Sequence, residues 1–149
     1  MSARRQRGYP HDSGQGLVEF ALVLPFLLVL VFGIIEFGNA FRTYQTVTNV
    51  AREGARQAVL QDCDQTCAED VIGARLAGSG LNPDLADVTF SCNGTAETYC
   101  TTVNDEVGVL IQYPFTFRIF GPVMNMMCVG CGSNWGTFTL TTQTIMRHE

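Results

Sequence analysis

The chain has 149 residues, a net charge of −5 and no lysine. That length holds one domain, and its charge is sorted along it: residues 1–14 carry Arg4, Arg5 and Arg7 against Asp12, whereas residues 37–149 carry eleven acids against six arginines. No basic patch survives in the folded part, which excludes nucleic-acid binding, and a basic tip before an apolar run fits a membrane anchor with a cytoplasmic N-terminus.

The first element is announced by "SGQGLVEFALVLPFLLVLVFGIIEFG", residues 13–38. Phe20 to Ile35 is free of charge, and Leu17 to Ile35 is equally apolar apart from Glu19. As a helix the longer stretch reaches about 28 Å, against a hydrocarbon core of about 30 Å. Pro25 removes one backbone bond and predicts a kink. Gly33 and Gly38 are places where another helix can pack closely. Glu19 is the anomaly, because a carboxylate in hydrocarbon costs a few kcal/mol on insertion scales.

Helical periodicity continues beyond Glu36. Phe37, Phe41, Tyr44, Val47, Ala51, Ala55 and Ala58 recur at spacings of three and four, with Arg42, Asn49, Arg52, Glu53 and Arg56 on the other side. This predicts a single helix from about residue 17 to 60, roughly 65 Å long. Its apolar stripe is expected to pack on the rest of the chain, and Glu53 and Arg56 are placed for an i,i+3 pair. Glu36 has two readings: it ends the span at the outer interface, or it serves a contact between subunits. "AREGAR" (51–56) reads as an exposed face with Gly54 as a close-packing point, or as a docking surface for another chain.

A short second helix is predicted over 62–77, capped by Asp62 or Asp64 and stopped by Gly78. "GSGLNPD" (78–84) is a turn or loop. Period-two alternation then marks strands. Val88, Phe90 and Cys92 alternate in "VTFSC", and Val107, Val109, Ile111, Tyr113, Phe115 and Phe117 occupy successive odd positions. Pro114 predicts that this strand lies at an edge or ends near Tyr113. Residues 119–136 read as a loop, and "TFTLTTQTIM" as a last strand. The expected class is α+β: a long helix, a short helix and an antiparallel sheet of about three strands, one face packed on the long helix.

All six cysteines (Cys63, Cys67, Cys92, Cys100, Cys128 and Cys131) follow the apolar run. An even number on the exported side predicts disulfides. Of the possible pairings, the local closures 63–67, 92–100 and 128–131 are preferred; zinc at the 63/67 and 128/131 spacings is the rival. Asn93-Gly94-Thr95 matches a glycosylation sequon but reads better as a bare turn. His11 and His148 stand near the two ends without partners. Met124, Met126 and Met127 read as loop packing. No nucleophile–base set, phosphate loop or pair of carboxylates appears, so no enzyme and no cofactor is expected.

"GQGLVEF" (14–20) followed by an oily helix resembles a class III signal cut by prepilin peptidase. With "VEFALVLPFLLVLVFGIIEFGNAF" and "NVAREGAR", the stretch 14–58 resembles the TadE-like pseudopilins of the tight-adherence pilus machinery. In that family the cut follows a glycine and a glutamate stands fifth in the mature chain, which implies cleavage between Gly14 and Gln15. Phe20 stands where related major pilins carry tyrosine, and a mature N-terminal Gln15 is able to cyclise. The resemblance implies a pilin-like fold, a leader at 1–14, a transmembrane helix at 15–36, an amphipathic continuation at 37–60 and an exported head at 61–149. It also implies that Glu19 and Phe20 serve assembly, and that the partners are a prepilin peptidase, other pilin and pseudopilin subunits, the inner-membrane assembly platform and lipid. The expected location is the bacterial inner membrane, head outward, with passage into an extracellular pilus. The rival is a disulfide-stabilised binding domain, either anchored by one uncut span or secreted after cleavage at Gly38-Asn39-Ala40.

Overall fold

The computed structural model describes residues 14–60, 63–100, 102, 104–119, 121–122 and 136–147. Expectations on the arginines of the leader, Asp62, His11, His148, the three clustered methionines, and Cys128 with Cys131 lie outside the described residues. The chain is α+β and divides into two compact units, residues 1–35 and 36–149.

Helix α1 runs from Gln15 to Ala58 without a break at Pro25. It is long and apolar enough to cross a membrane by length and composition. Its residues up to Ile35 are exposed, except for a half-buried Leu24 and Gly33. Helix α2 spans Gln65–Gly78. Asp64 caps it, the side chain accepting from the Cys67 backbone N–H at 2.8 Å. Ser79 ends it, and Gly80 turns the chain away at φ +79°.

Four antiparallel strands follow: β1 (Asp87–Cys92), β2 (Thr95–Ala96), β3 (Glu106–Thr116) and β4 (Thr137–Arg147), in the order β2-β1-β3-β4. The extra strand is the two-residue β2, which folds back on β1 through Asn93 and Gly94. Both of these have positive φ, 49° and 81°, as a tight hairpin turn requires. A two-residue strand is too short to show a period, which is why alternation alone revealed only three. The sequon therefore forms this turn. Its Asn93 Nδ2 donates to Asp105 Oδ1 at 2.8 Å, and its Oδ1 accepts from the Glu106 N–H at 2.9 Å.

The expectation for Pro114 is corrected. Strand β3 is central and continues to Thr116. Pro114 lies beyond Gln112, the last residue of β3 paired to β1, and it still faces Thr139 of β4. One flank is thus a local open edge, where a missing N–H removes no ladder bond.

In the unit from Glu36 onward, one apolar core joins the C-terminal part of α1 (Val47, Val50, Ala51, Ala55, Ala58) to Ala68, Ile72 and Leu76 of α2. The sheet contributes Phe90, Val107, Val109, Ile111 and Tyr113 to the same cluster. Only the second half of the predicted stripe is buried. Phe37, Phe41 and Tyr44 are 72%, 54% and 41% exposed, a correction to the expectation that the whole stripe packs. Ahead of Val47 the inward face of α1 is Glu36, Ala40 and Thr43, buried or half-buried, so Phe37, Phe41 and Tyr44 stand one position off that face and are exposed.

Candidate processing and assembly segment

Gly14 sits in a turn directly before α1, exposed, and a Cβ there would meet nothing within 4 Å. Its carbonyl accepts the first helical bond, from the Val18 N–H at 3.3 Å. Helix α1 therefore begins at the Gly14–Gln15 peptide.

One turn on, Glu19 is exposed. The Gln15 carboxamide Nε2 donates to Glu19 Oε1 at 3.4 Å, a long bond along one helix face. Phe20 is 62% exposed beside it. Gly14, Gln15, Glu19 and Phe20 thus occupy the first turns of a helix whose apolar surface is open. Of the proposed helix-packing glycines, Gly33 is half-buried, while Gly38 is exposed with open space where a Cβ would be.

Gly54 is different. It is buried, and a Cβ there would fall 2.6 Å from both Cγ1 and Cδ1 of Ile72. The close-packing point of "AREGAR" thus faces the chain's own α2. On the outer side of the same turn, Glu53 accepts from Arg56 at 3.0 and 3.1 Å and from Gln57 at 3.2 Å, and lies 3.5 Å from Arg75 of α2. The Arg56 guanidinium, helped by the Gln57 amide, lowers the Glu53 pKa to about 2. A shallow groove of about 370 Å³ lined by Thr46, Asn49, Val50, Glu53, Arg75 and Ser79 adjoins this pair.

Glu36 makes a contact that neither of its two readings from sequence included. It is 5% exposed, and it accepts a short hydrogen bond from the backbone N–H of Ile119, just past β3. A carboxylate that ends the apolar run is thereby tied to the sheet of its own chain. No local pattern announces such a contact, because the partner is a backbone group 83 positions away.

Among the described residues two disulfides are present, Cys63–Cys67 and Cys92–Cys100, and no cysteine is free. The 63–67 pair spans the start of α2, and the 92–100 pair closes the loop after β1. Cys92, Cys100 and Asp105 stand close enough to share an ion, but both sulfurs are consumed in the bond between them. Inside that loop, Tyr99 turns back toward the helices. Its hydroxyl donates to the Cys63 carbonyl at 2.8 Å and lies 3.2 Å from the Ala58 carbonyl, and its ring meets Phe90 edge-on at 5.5 Å. Burial, with the charge of Asp64 adding to it, raises the Tyr99 pKa. Sequence reading missed Tyr99, whose sole signal is its position next to Cys100.

Residues 38–40, the cleavage point that the secreted alternative needs, lie inside α1, which continues as helix to Ala58.

Residues 14–56, less than a third of the chain, match the family model described as TadE-like protein. No curated protein and no solved structure matches the chain.

Proposed function

Taking the TadE-like character of residues 14–56 as the premise, we propose that this protein is a minor pseudopilin of a tight-adherence pilus. Residues 1–14 are its cytoplasmic leader and residues 15–36 its single membrane span. Residues 37–60 continue that helix into an exported head, residues 61–149, in the inner membrane or beyond it in the pilus. Prepilin peptidase hydrolyses the Gly14–Gln15 bond, and the mature chain helps to assemble or initiate the filament with other pilin subunits on the inner-membrane platform. Its role is structural rather than enzymatic.

The observation that carries this reading is the pair Gly14 and Glu19 at the head of a long, open apolar helix. Once cut, the new α-amine of Gln15 stands at the level where a neighbour's Glu19 needs a cation. In low dielectric an amine–carboxylate pair is far stronger than in water, and a lone carboxylate is heavily penalised. Glu19 is thus costly in lipid by itself and satisfied in a bundle, which biases the helix toward assembly. In the separate chain the Gln15 carboxamide gives it a partial substitute.

N-terminal sequencing of protein from native membranes tests the reading directly. A chain beginning at Gln15 supports it, with allowance for a blocked, cyclised glutamine detected by mass. Replacement of Gly14 by a bulky residue should leave the full-length precursor. A start at Phe41 would instead establish the secreted alternative, and identical mobility with and without the peptidase would sink the processing step.

A further inference from the structure

We infer that the end of the β3–β4 pair nearest Glu36 lies in the headgroup layer of the membrane, so that the head is seated on lipid rather than held clear of it. The inference rests on residues 15–36 spanning the bilayer. Glu36 is the first residue after the charge-free run Phe20–Ile35, and it accepts from the Ile119 N–H. That bond ties the chain just past β3 to the residue that follows the apolar run.

What this end of the sheet displays is apolar and aromatic. Ile119 is 38% exposed and Phe138 57%. Phe138 stands opposite Phe115, whose ring meets Phe117 edge-on at 5.3 Å. Phe37, directly after Glu36, is 72% exposed. Between Phe117 and Ile119, Arg118 is exposed as well. Phenylalanine and isoleucine on an interfacial surface bury at the boundary of headgroups and acyl chains, and a guanidinium beside them pairs with lipid phosphate.

The charge pattern agrees. Glu97, Asp105 and Glu106 gather at the opposite end of the sheet, where β1 turns into β2 and β3 begins. Strand β3 is about 33 Å long at strand rise from Glu106 to Thr116, so Asp105 and Glu106 stand well away from anionic headgroups, while Asp87, opposite Gln112, stands nearer the apolar end. One end of the sheet thus displays apolar and aromatic side chains, and the other carries Glu97, Asp105 and Glu106, the last paired with Arg147. A second copy of the chain is the other possible cover for the apolar end. Lipid is favoured by the bond to Glu36 and by Arg118.

The test uses the full-length protein, one copy per lipid nanodisc, with the sole tryptophan replaced (Trp135→Phe). Single tryptophans are then introduced as Phe26→Trp, Ile119→Trp, Phe138→Trp and Ile145→Trp. Ile145 is 60% exposed and faces Gly108 at the far end, so it is the apolar control. In lipids with brominated acyl chains, Phe26→Trp and Ile119→Trp should lose most of their emission, Phe138→Trp less, and Ile145→Trp none. Full emission at both 119 and 138 with quenching at 26 overturns the inference and leaves the span intact. Full emission at 26 as well overturns the span and the inference with it. Should Ile119→Trp not fold, the aromatic exchange Phe138→Trp decides in its place. A blue shift at 119 and 138 that appears only with two copies per disc, without quenching, assigns the surface to a second copy and overturns the inference too.

Discussion

Gly54 of α1 and Ile72 of α2 meet so closely that no side chain fits between them: an added Cβ would lie 2.6 Å from Ile72 Cγ1 and Cδ1. Ile72 is 1% exposed and has nowhere to retreat. Gly54→Ala gains about 1 kcal/mol of helix propensity but forces overpacking that costs about 1–3 kcal/mol. The expected result is a net loss of stability, read as a lower unfolding midpoint of the detergent-solubilised chain. Ile72→Val, which removes Cδ1, should recover part of the loss in the double variant. Additive effects of the two substitutions would mean that the contact is not what limits the site.

The Tyr99 hydroxyl joins two disulfide regions by donating to Cys63 O. Tyr99→Phe should cost about 1 kcal/mol. Because folding raises the Tyr99 pKa, its contribution is present below the unfolded value of about 10 and is lost as pH rises through the higher folded value. Wild type should therefore weaken above about pH 10 through this group, and Tyr99→Phe should lack that part of the decline. Replacing Cys92 and Cys100 together opens the loop that carries Tyr99 and should cost about 2–3 kcal/mol. Tyr99→Phe should then have a smaller effect in that background. Equal effects in both backgrounds would separate the hydroxyl from the loop.

Glu53 links α1 to α2 through Arg75 and is itself held by Arg56. Its folded pKa is lowered from 4.5 to about 2, so its contribution is present above the unfolded value and fades as pH falls from about 4.5 toward 2. The two arginines are more than half exposed, so solvent screening keeps the gain below about 1 kcal/mol. Glu53→Gln should lower stability slightly at neutral pH and flatten the acid limb between those values. The difference from wild type should shrink in high salt. A difference independent of salt would contradict an ionic origin.

Glu19 provides the sharpest functional test. Glu19→Ala removes the cost of a carboxylate in lipid, so membrane insertion should be as good as or better than wild type. Cleavage after Gly14 should also proceed. What should disappear is assembly, measured as pilus formation and co-purification with partner pilins from the same strain. Wild-type assembly by a correctly cleaved Glu19→Ala chain would leave the amine–carboxylate pairing without support.

The long helix and the strands β1, β3 and β4 were legible because each repeats a pattern along the chain, at 3.6 residues for the helix or two for the strands, and the short helix because Asp64 and Gly78 mark its ends. Asp64 as the cap of α2 and Glu53 with Arg56 were legible for a related reason: both interactions close within one turn. Pro114 misled because its tolerance depends on where a different strand stops, at the pair Asp87–Gln112. Phe37, Phe41 and Tyr44 misled because Glu36, Ala40 and Thr43 repeat at the same spacings one position away, and it is this more polar stripe that is turned inward.

Sequence by itself therefore determined the two helices and three of the four strands, and it singled out Gly14 to Phe20 by spacing along one helix. Tertiary structure alone decided which groups meet across distance. It turned Glu36 toward the Ile119 N–H, set Gly54 against Ile72 and brought Tyr99 to Cys63. The physical reason is the range of the forces that act. Backbone periodicity and capping are settled among near neighbours, whereas burial depends on the volume that chain segments tens of residues apart fill together.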